Sequence, residues 1–165
     1  MTRPVSVKLP PMAFKPAATP LPLPLYYVQS GTFLQQTNSN LWNPIAGLTL
    51  TLPVATPNVA VTALVTLNVP SPYAKGNNFP GCKFGLMINN ATPPDPPFAD
   101  ITSFSKIADP ADSERSAGRV PVTLVKRIDL GPSSINVTAV WQSIRGATCV
   151  IDSPASLSAI VGLYG

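Results

Sequence analysis

With 165 residues, 45% of them apolar, the chain is long enough for one domain with a sizeable core, which excludes global disorder. Only 11% of residues are charged, well under the roughly 25% of an ordinary soluble domain, so much of the surface is either covered by identical copies or neutral in Thr, Ser and Asn. The net charge is +4, but the basic residues are scattered and sparse rather than gathered on a stripe, which argues against a nucleic-acid partner.

Residues 1–94 carry no Asp or Glu and five cations (Arg3, Lys8, Lys15, Lys75 and Lys83), whereas all seven acids fall between Asp95 and Asp152. Proline occurs 21 times. It has no amide donor and a fixed φ, which keeps it out of helix interiors and central ladder positions. That load, with no long amphipathic window, predicts an all-β protein of short strands and many turns.

In chain order, residues 1–25 read as a Pro-rich N-terminal arm, either a flexible tail or a strap over a neighbouring subunit, and 26–165 as one domain. Prolines at 4, 10, 11, 16, 20, 22 and 24 break every apolar stretch, so no signal peptide forms, and nothing reaches the length of a membrane span. The expectation is a soluble protein made in the cytoplasm, without membrane insertion; release to act on extracellular glycans stays open.

Predicted strands follow at Tyr26–Gln36, Leu48–Val54 and Asn58–Val69. In the third, Val59, Val61, Ala63, Val65, Leu67 and Val69 alternate with a Thr- and Asn-bearing set, the period of two that gives one inner and one outer face. Leu64 interrupts the polar set and hints at contact on the second face too. Further runs are Cys82–Ile88, Phe98–Ile107, Val120–Leu130, Ile135–Ile144, Ala147–Ile151 and Ser156–Leu163, separated by Pro-, Gly- and Asn-rich segments such as Pro70–Gly81 and Asn89–Pro97. Eight or nine short strands describe a sandwich or jelly roll.

Cys82 and Cys149 stand about 67 positions apart, without CxxC spacing, and the chain contains no histidine, so a zinc site lacks ligands. Each cysteine sits in an apolar run; the expectation is two buried free thiols rather than a disulfide. The missing histidine also removes Ser-His-Asp and Cys-His catalysis. Paired carboxylates could run a glycosidase, but most acids cluster in the polar stretch from Asp95 to Glu114, which reads as a solvated loop. No phosphate-binding loop or dinucleotide fingerprint is present, and no cofactor is called for.

A sugar site asks for Arg, Asp, Ser or Thr to satisfy hydroxyls and a ring to cover the apolar face. Turn segments supply them: Tyr73 in SPYAKGNNFPG, Arg119 after SAG, Arg145 in SIRGA, and Asp152–Ser153 in IDS. Each also has a bland reading: a loop arginine is commonly a solvated charge, and Tyr73 between prolines can simply pack its turn.

The segments LNVPSPYAKGNNFPG (67–81), GRVPVTLVKRIDLG (118–131), VWQSIRGA (140–147) and IDSPASLSAIVG (151–162) closely resemble the TNF-like, fucose-binding domain at the N-terminus of a bacterial two-domain superlectin. The resemblance spans roughly 58–162, is poor across 89–117, and finds no clear counterpart for the first 45 residues or so. It implies a TNF-like jelly-roll β-sandwich assembled as a homotrimer, with metal-free sites between neighbours that bind fucosylated oligosaccharides. Tyr73 matches a site tyrosine, Arg119 and Arg145 the two arginines that grip fucose, Ser116 a site serine and Thr102 a site threonine. Asp152 and Ser153 match residues that touch sugars beyond the fucose. SLSAIVG is placed by the resemblance near the threefold axis, where three weak sites on one assembly would gain avidity. Lys83 stands where the family has a second site tyrosine, Ser103 replaces another tyrosine and Ala117 a threonine, which removes apolar surface and adds a charge. The sequence therefore reads as a non-enzymatic lectin. A structural jelly roll of a capsid or spike, without sugar binding, is the second reading, and an Asp-based glycosidase the third.

Overall fold

The computed structural model describes residues 24–31, 34–55, 57, 60–75, 81–93, 101–105, 121–144 and 146–163, with 101–105 and 163 as backbone only. The described chain forms eleven strands: β1 (Leu25–Gln29), β2 (Gln35–Thr37), β3 (Asn43–Leu52), β4 (Val61–Val69), β5 (Tyr73–Lys75), β6 (Gly81–Ile88), β7 (Ile101–Ser105), β8 (Val122–Leu130), β9 (Ile135–Ile144), β10 (Thr148–Ile151) and β11 (Ser156–Leu163). They pair antiparallel in three sheets, ordered β1-β11-β4-β8, β3-β9-β6-β7 and β2-β10-β5. The class is all-β, as the proline load predicts, and the arrangement is that of a β-sandwich.

One apolar core joins the sheets. Ala63, Val65, Leu67 and Val69 of β4 are fully buried, as the period of two requires, and they meet Leu48 and Leu52 of β3, Phe84 and Leu86 of β6 and Val137 of β9. The Phe84 and Trp141 rings lie 6.3 Å apart, tilted by 36°, within the range at which aromatic pairs attract. Gly85 is required beside them: a Cβ there would stand 2.8 Å from Pro93 Cγ and 3.3 Å from the Trp42 ring.

The single run expected over Tyr26–Gln36 is two strands. Between them Ser30 leaves the ladder: its N–H donates to Ala155 O (2.8 Å) and its Oγ accepts from the Ala155 N–H (2.8 Å). The second strand begins at Asn43 rather than Leu48, because its register with β9 shifts between Pro44 and Thr49 and interrupts the alternation. Gln35 braces this irregularity. Its amide donates to Ala46 O (3.2 Å) and accepts from the Ala46 N–H (2.9 Å), so a side chain replaces a missing ladder pair. β6 ends in a tight turn in which Asn89 and Asn90 take φ of 48° and 65° and the Ala91 N–H reaches Ile88 O (2.9 Å). Asparagine tolerates that left-handed region better than most residues.

Cys82 and Cys149 form a disulfide across 67 positions, with Cα atoms 5.6 Å apart. This corrects the expectation of free thiols. The apolar runs that suggested inert thiols are two neighbouring strands, β6 and β10, whose inner faces meet.

Candidate functional site

Tyr73 opens β5, a three-residue strand that follows Pro72. Its strand is held from one side by β10, where Tyr73 lies opposite Val150, Ala74 opposite Cys149 and Lys75 opposite Thr148. Ala74 and Cys149 are fully buried, so alternation turns Tyr73 and Lys75 away from the core, and both are half-buried. The Tyr73 carbonyl oxygen lies 3.7 Å from Cys82 Sγ, against the disulfide.

Lys83 follows Cys82 on β6 and alternates with the buried Cys82 and Phe84, which places it on the outer face of the β3-β9-β6-β7 sheet. It stands opposite Gln142 of β9. With the Gln142 amide oriented to suit its neighbours, its oxygen accepts from Lys83 Nζ (3.2 Å) and its nitrogen donates to Asn40 O (3.3 Å). Gln142 is buried, so the lysine is anchored to a polar group that burial would otherwise leave exposed to a desolvation cost. On the other side of β6, Ser103 lies opposite Lys83 and Thr102 opposite Phe84 in the ladder with β7; their side chains lie outside the described residues.

Asp152 and Ser153 leave the far end of β10, two and three positions past Val150, and both are half-buried. Ser153 Oγ is buried and has no hydrogen-bond partner among the described residues.

Ser116, Arg119 and Arg145 lie outside the described residues. Arg145 falls in sequence between β9 and β10, where the Ala147 N–H donates to Ile144 O (3.2 Å) and Ser143 Oγ donates to Ala147 O (2.5 Å). Gly146 takes φ 74° there, a conformation that favours glycine. Ile144, just before the turn, pairs with Gly81, and Thr148, just after it, pairs with Lys75. Arg119 precedes β8 by three positions, and β8 starts with Val122 opposite Val69, the last residue of β4; the chain reaches Tyr73 four positions later. The structure thus places Tyr73 on β5, Lys83 on β6 and Asp152 and Ser153 just past β10, with the Cys82–Cys149 bond tying β6 to β10.

Sequence reasoning missed this bond and β5 itself. It also missed a polar cleft of about 240 Å³ lined by Gln36, Thr37, Asn38 and Thr148, whose residues no motif marks. Among the described residues no group of three or more His, Cys, Asp or Glu could hold a metal ion, and no helix is long and apolar enough to cross a membrane.

The described chain is an all-β protein of antiparallel sheets arranged as a β-sandwich. The family model described as Bc2l-C, N-terminal domain, matches residues 31–160, well over half of the chain, and the protein belongs to this family of TNF-like, fucose-binding lectin domains of bacterial superlectins. The match reaches back to residue 31, so β2 and β3, which the sequence reading left without a counterpart, are part of the family domain. The family is one of lectins and not of enzymes, and lectin-type carbohydrate binding follows at that level. No curated protein matches the chain.

Proposed function

We propose that this protein is a lectin for fucosylated glycans that works as a homotrimer of jelly-roll subunits, with its sugar sites between neighbours. The observation that carries the reading is the family match over residues 31–160. In it, Arg119 and Arg145 fork onto fucose hydroxyls, Tyr73 covers the apolar edge of the ring, and Ser116 and Thr102 complete the polar contacts. Lys83 contributes a cation in place of a ring, and Asp152 and Ser153 reach the sugars next to the fucose. A glycan array on the purified protein tests the sugar class, and binding confined to glycans without fucose would overturn it.

The trimer has support of its own. On the outer face of the β1-β11-β4-β8 sheet, Leu25, Ile160 and Leu64 stand side by side in a row that ends at Arg127 on β8, and the adjacent row carries Tyr27 and Val125. Leu64 is 49% exposed, Val125 48% and Ile160 45%, on a sheet face whose other members are mostly Ser, Thr and Asn, with the Arg127–Asp129 ion pair at its β8 edge. An apolar row of this kind in a chain with so few charges suits burial against copies of itself. Substituting Leu64→Glu and Ile160→Glu together is expected to convert trimer to monomer in analytical ultracentrifugation, with the β-sheet circular dichroism kept. A wild-type monomer, or a trimer that survives both charges, would remove this part of the proposal.

The Cys82–Cys149 bond supports a working environment outside the reducing cytoplasm, in keeping with release toward extracellular glycans.

A further inference from the structure

The outward row that carries Lys83 runs back across the sheet to a tryptophan. Asn43, at the start of β3, lies opposite Trp141 of β9, and Trp141 lies opposite Phe84 of β6. One position along, the same register sets Trp42, Gln142 and Lys83 side by side, with Ser103 of β7 opposite Lys83. Two bonds hold the segment before β3 against β9: the Ser143 N–H donates to Ser39 O (2.7 Å), and the Gln142 amide donates to Asn40 O (3.3 Å).

The Trp42 ring reaches beyond its own strand. Gly85 is two positions past Lys83 on the same face of β6, and a Cβ there would stand 3.3 Å from Trp42 Cη2. β9 lies between β3 and β6, so the side chain crosses two strand spacings, roughly 10 Å. Val140, opposite Gly85, lies in its path and is fully buried, while Ala139 and Trp141 on either side face the core. The glycine lets the indole lie close to the sheet, and Trp42 itself stays half-buried.

A sugar presents a C–H face that asks for a ring or similar apolar surface. Of the three tyrosines that the resemblance gives to the site, only Tyr73 is kept; the other two positions are Lys83 and Ser103, neighbours in the row that Trp42 begins. An ammonium and a hydroxyl offer hydrogen bonds but no ring.

We infer that Trp42 is the ring that covers the apolar face of the bound fucose, supplied from the start of β3 in place of the two lost tyrosines. The inference rests on the fucose reading above and adds to it a residue that the resemblance does not mark.

The test pairs calorimetry with tryptophan fluorescence during titration with methyl fucoside. The chain has two tryptophans, and Trp141 is 2% exposed in the core, so an emission change on binding reports Trp42. Wild-type emission is expected to shift to shorter wavelength as the sugar covers the indole. Trp42→Phe should lose that shift and keep the affinity within about 3-fold, and Trp42→Ala should weaken binding about 10-fold. The emission shift and Trp42→Phe decide the matter even if Trp42→Ala fails to fold. If wild type binds methyl fucoside without any change in emission, or a folded Trp42→Ala binds it at full affinity, the platform is wrong and the fucose site stands. If wild type binds no fucoside, both readings fall together.

Discussion

Removing the bond between Cys82 and Cys149, by the double substitution to alanine or by reductant, is expected to lower the free energy of unfolding by about 4 kcal/mol. The estimate follows from the chain the bond closes. The two residues are separated by 67 positions, and a loop of that size loses entropy in the unfolded state that the broken bond would restore. Both cysteines are fully buried, so the alanine pair also leaves unfilled volume, and the reductant experiment isolates the bond from that effect. Urea unfolding of wild type with and without reductant is the measurement. Coincident midpoints would mean that the bond does not form in the protein. The effect should not be spread evenly: β5 and β10 have three and four residues, and beyond their mutual ladder the bond is the covalent tie between β10 and β6. Strands so short contribute little pairing of their own. Reduction is therefore expected to weaken sugar binding at denaturant concentrations where the larger sheets still hold.

The second large effect concerns the arginines. Arg119→Ala and Arg145→Ala are each expected to cost about 1.5–3 kcal/mol of fucose binding, roughly 10- to 150-fold in affinity, and the double variant should show no binding at millimolar sugar. A guanidinium fork that grips two vicinal hydroxyls is lost with the side chain, and Arg145→Lys should recover little because an ammonium has no fork. Titration with methyl fucoside, on variants whose circular dichroism matches wild type, is the check. Wild-type affinity in both single variants would place the site elsewhere.

The strands that alternation marks most plainly were legible from the residues alone. Ile135–Ile144 and Ser156–Leu163 were read with their observed ends, and Ala63, Val65, Leu67 and Val69 of β4 were read as its inner face because a strand with one buried face prints its period directly, whereas Val59 lies outside the described residues. β5 was not legible. Three residues cannot show a period, and Tyr73–Lys75 lies inside a Pro- and Gly-rich stretch that reads as a turn; its partner is more than 70 residues away, in β10. The disulfide was missed for a similar reason. Local apolar context describes the burial of each cysteine correctly but carries nothing about which distant strand lies beside it. Leu64 was the useful irregularity: the residue that breaks the polar set of β4 sits in the exposed apolar row. Of the proposed site residues, Tyr73, Arg119 and Arg145 were read from turn segments and resemblance. Gln36, Asn38 and Thr148 carried no signal, since single amides and hydroxyls in a polar sequence look the same whether they line a cleft or face water.

The pairing of the first strand with the last has a kinetic consequence. Leu25 finds its partner in Ile160, and Gln29 in Ser156, so β1 has no mate until nearly the whole described chain exists. At about 5–20 residues per second of synthesis, that leaves β1 waiting on the order of 7–25 s after it emerges. During this wait Leu25 and Tyr27 are open to the wrong strands, in a topology whose distant contacts already make folding slow. Yield in a host should therefore respond to temperature and to chaperone supply, with misfolding beginning at the amino-terminal edge.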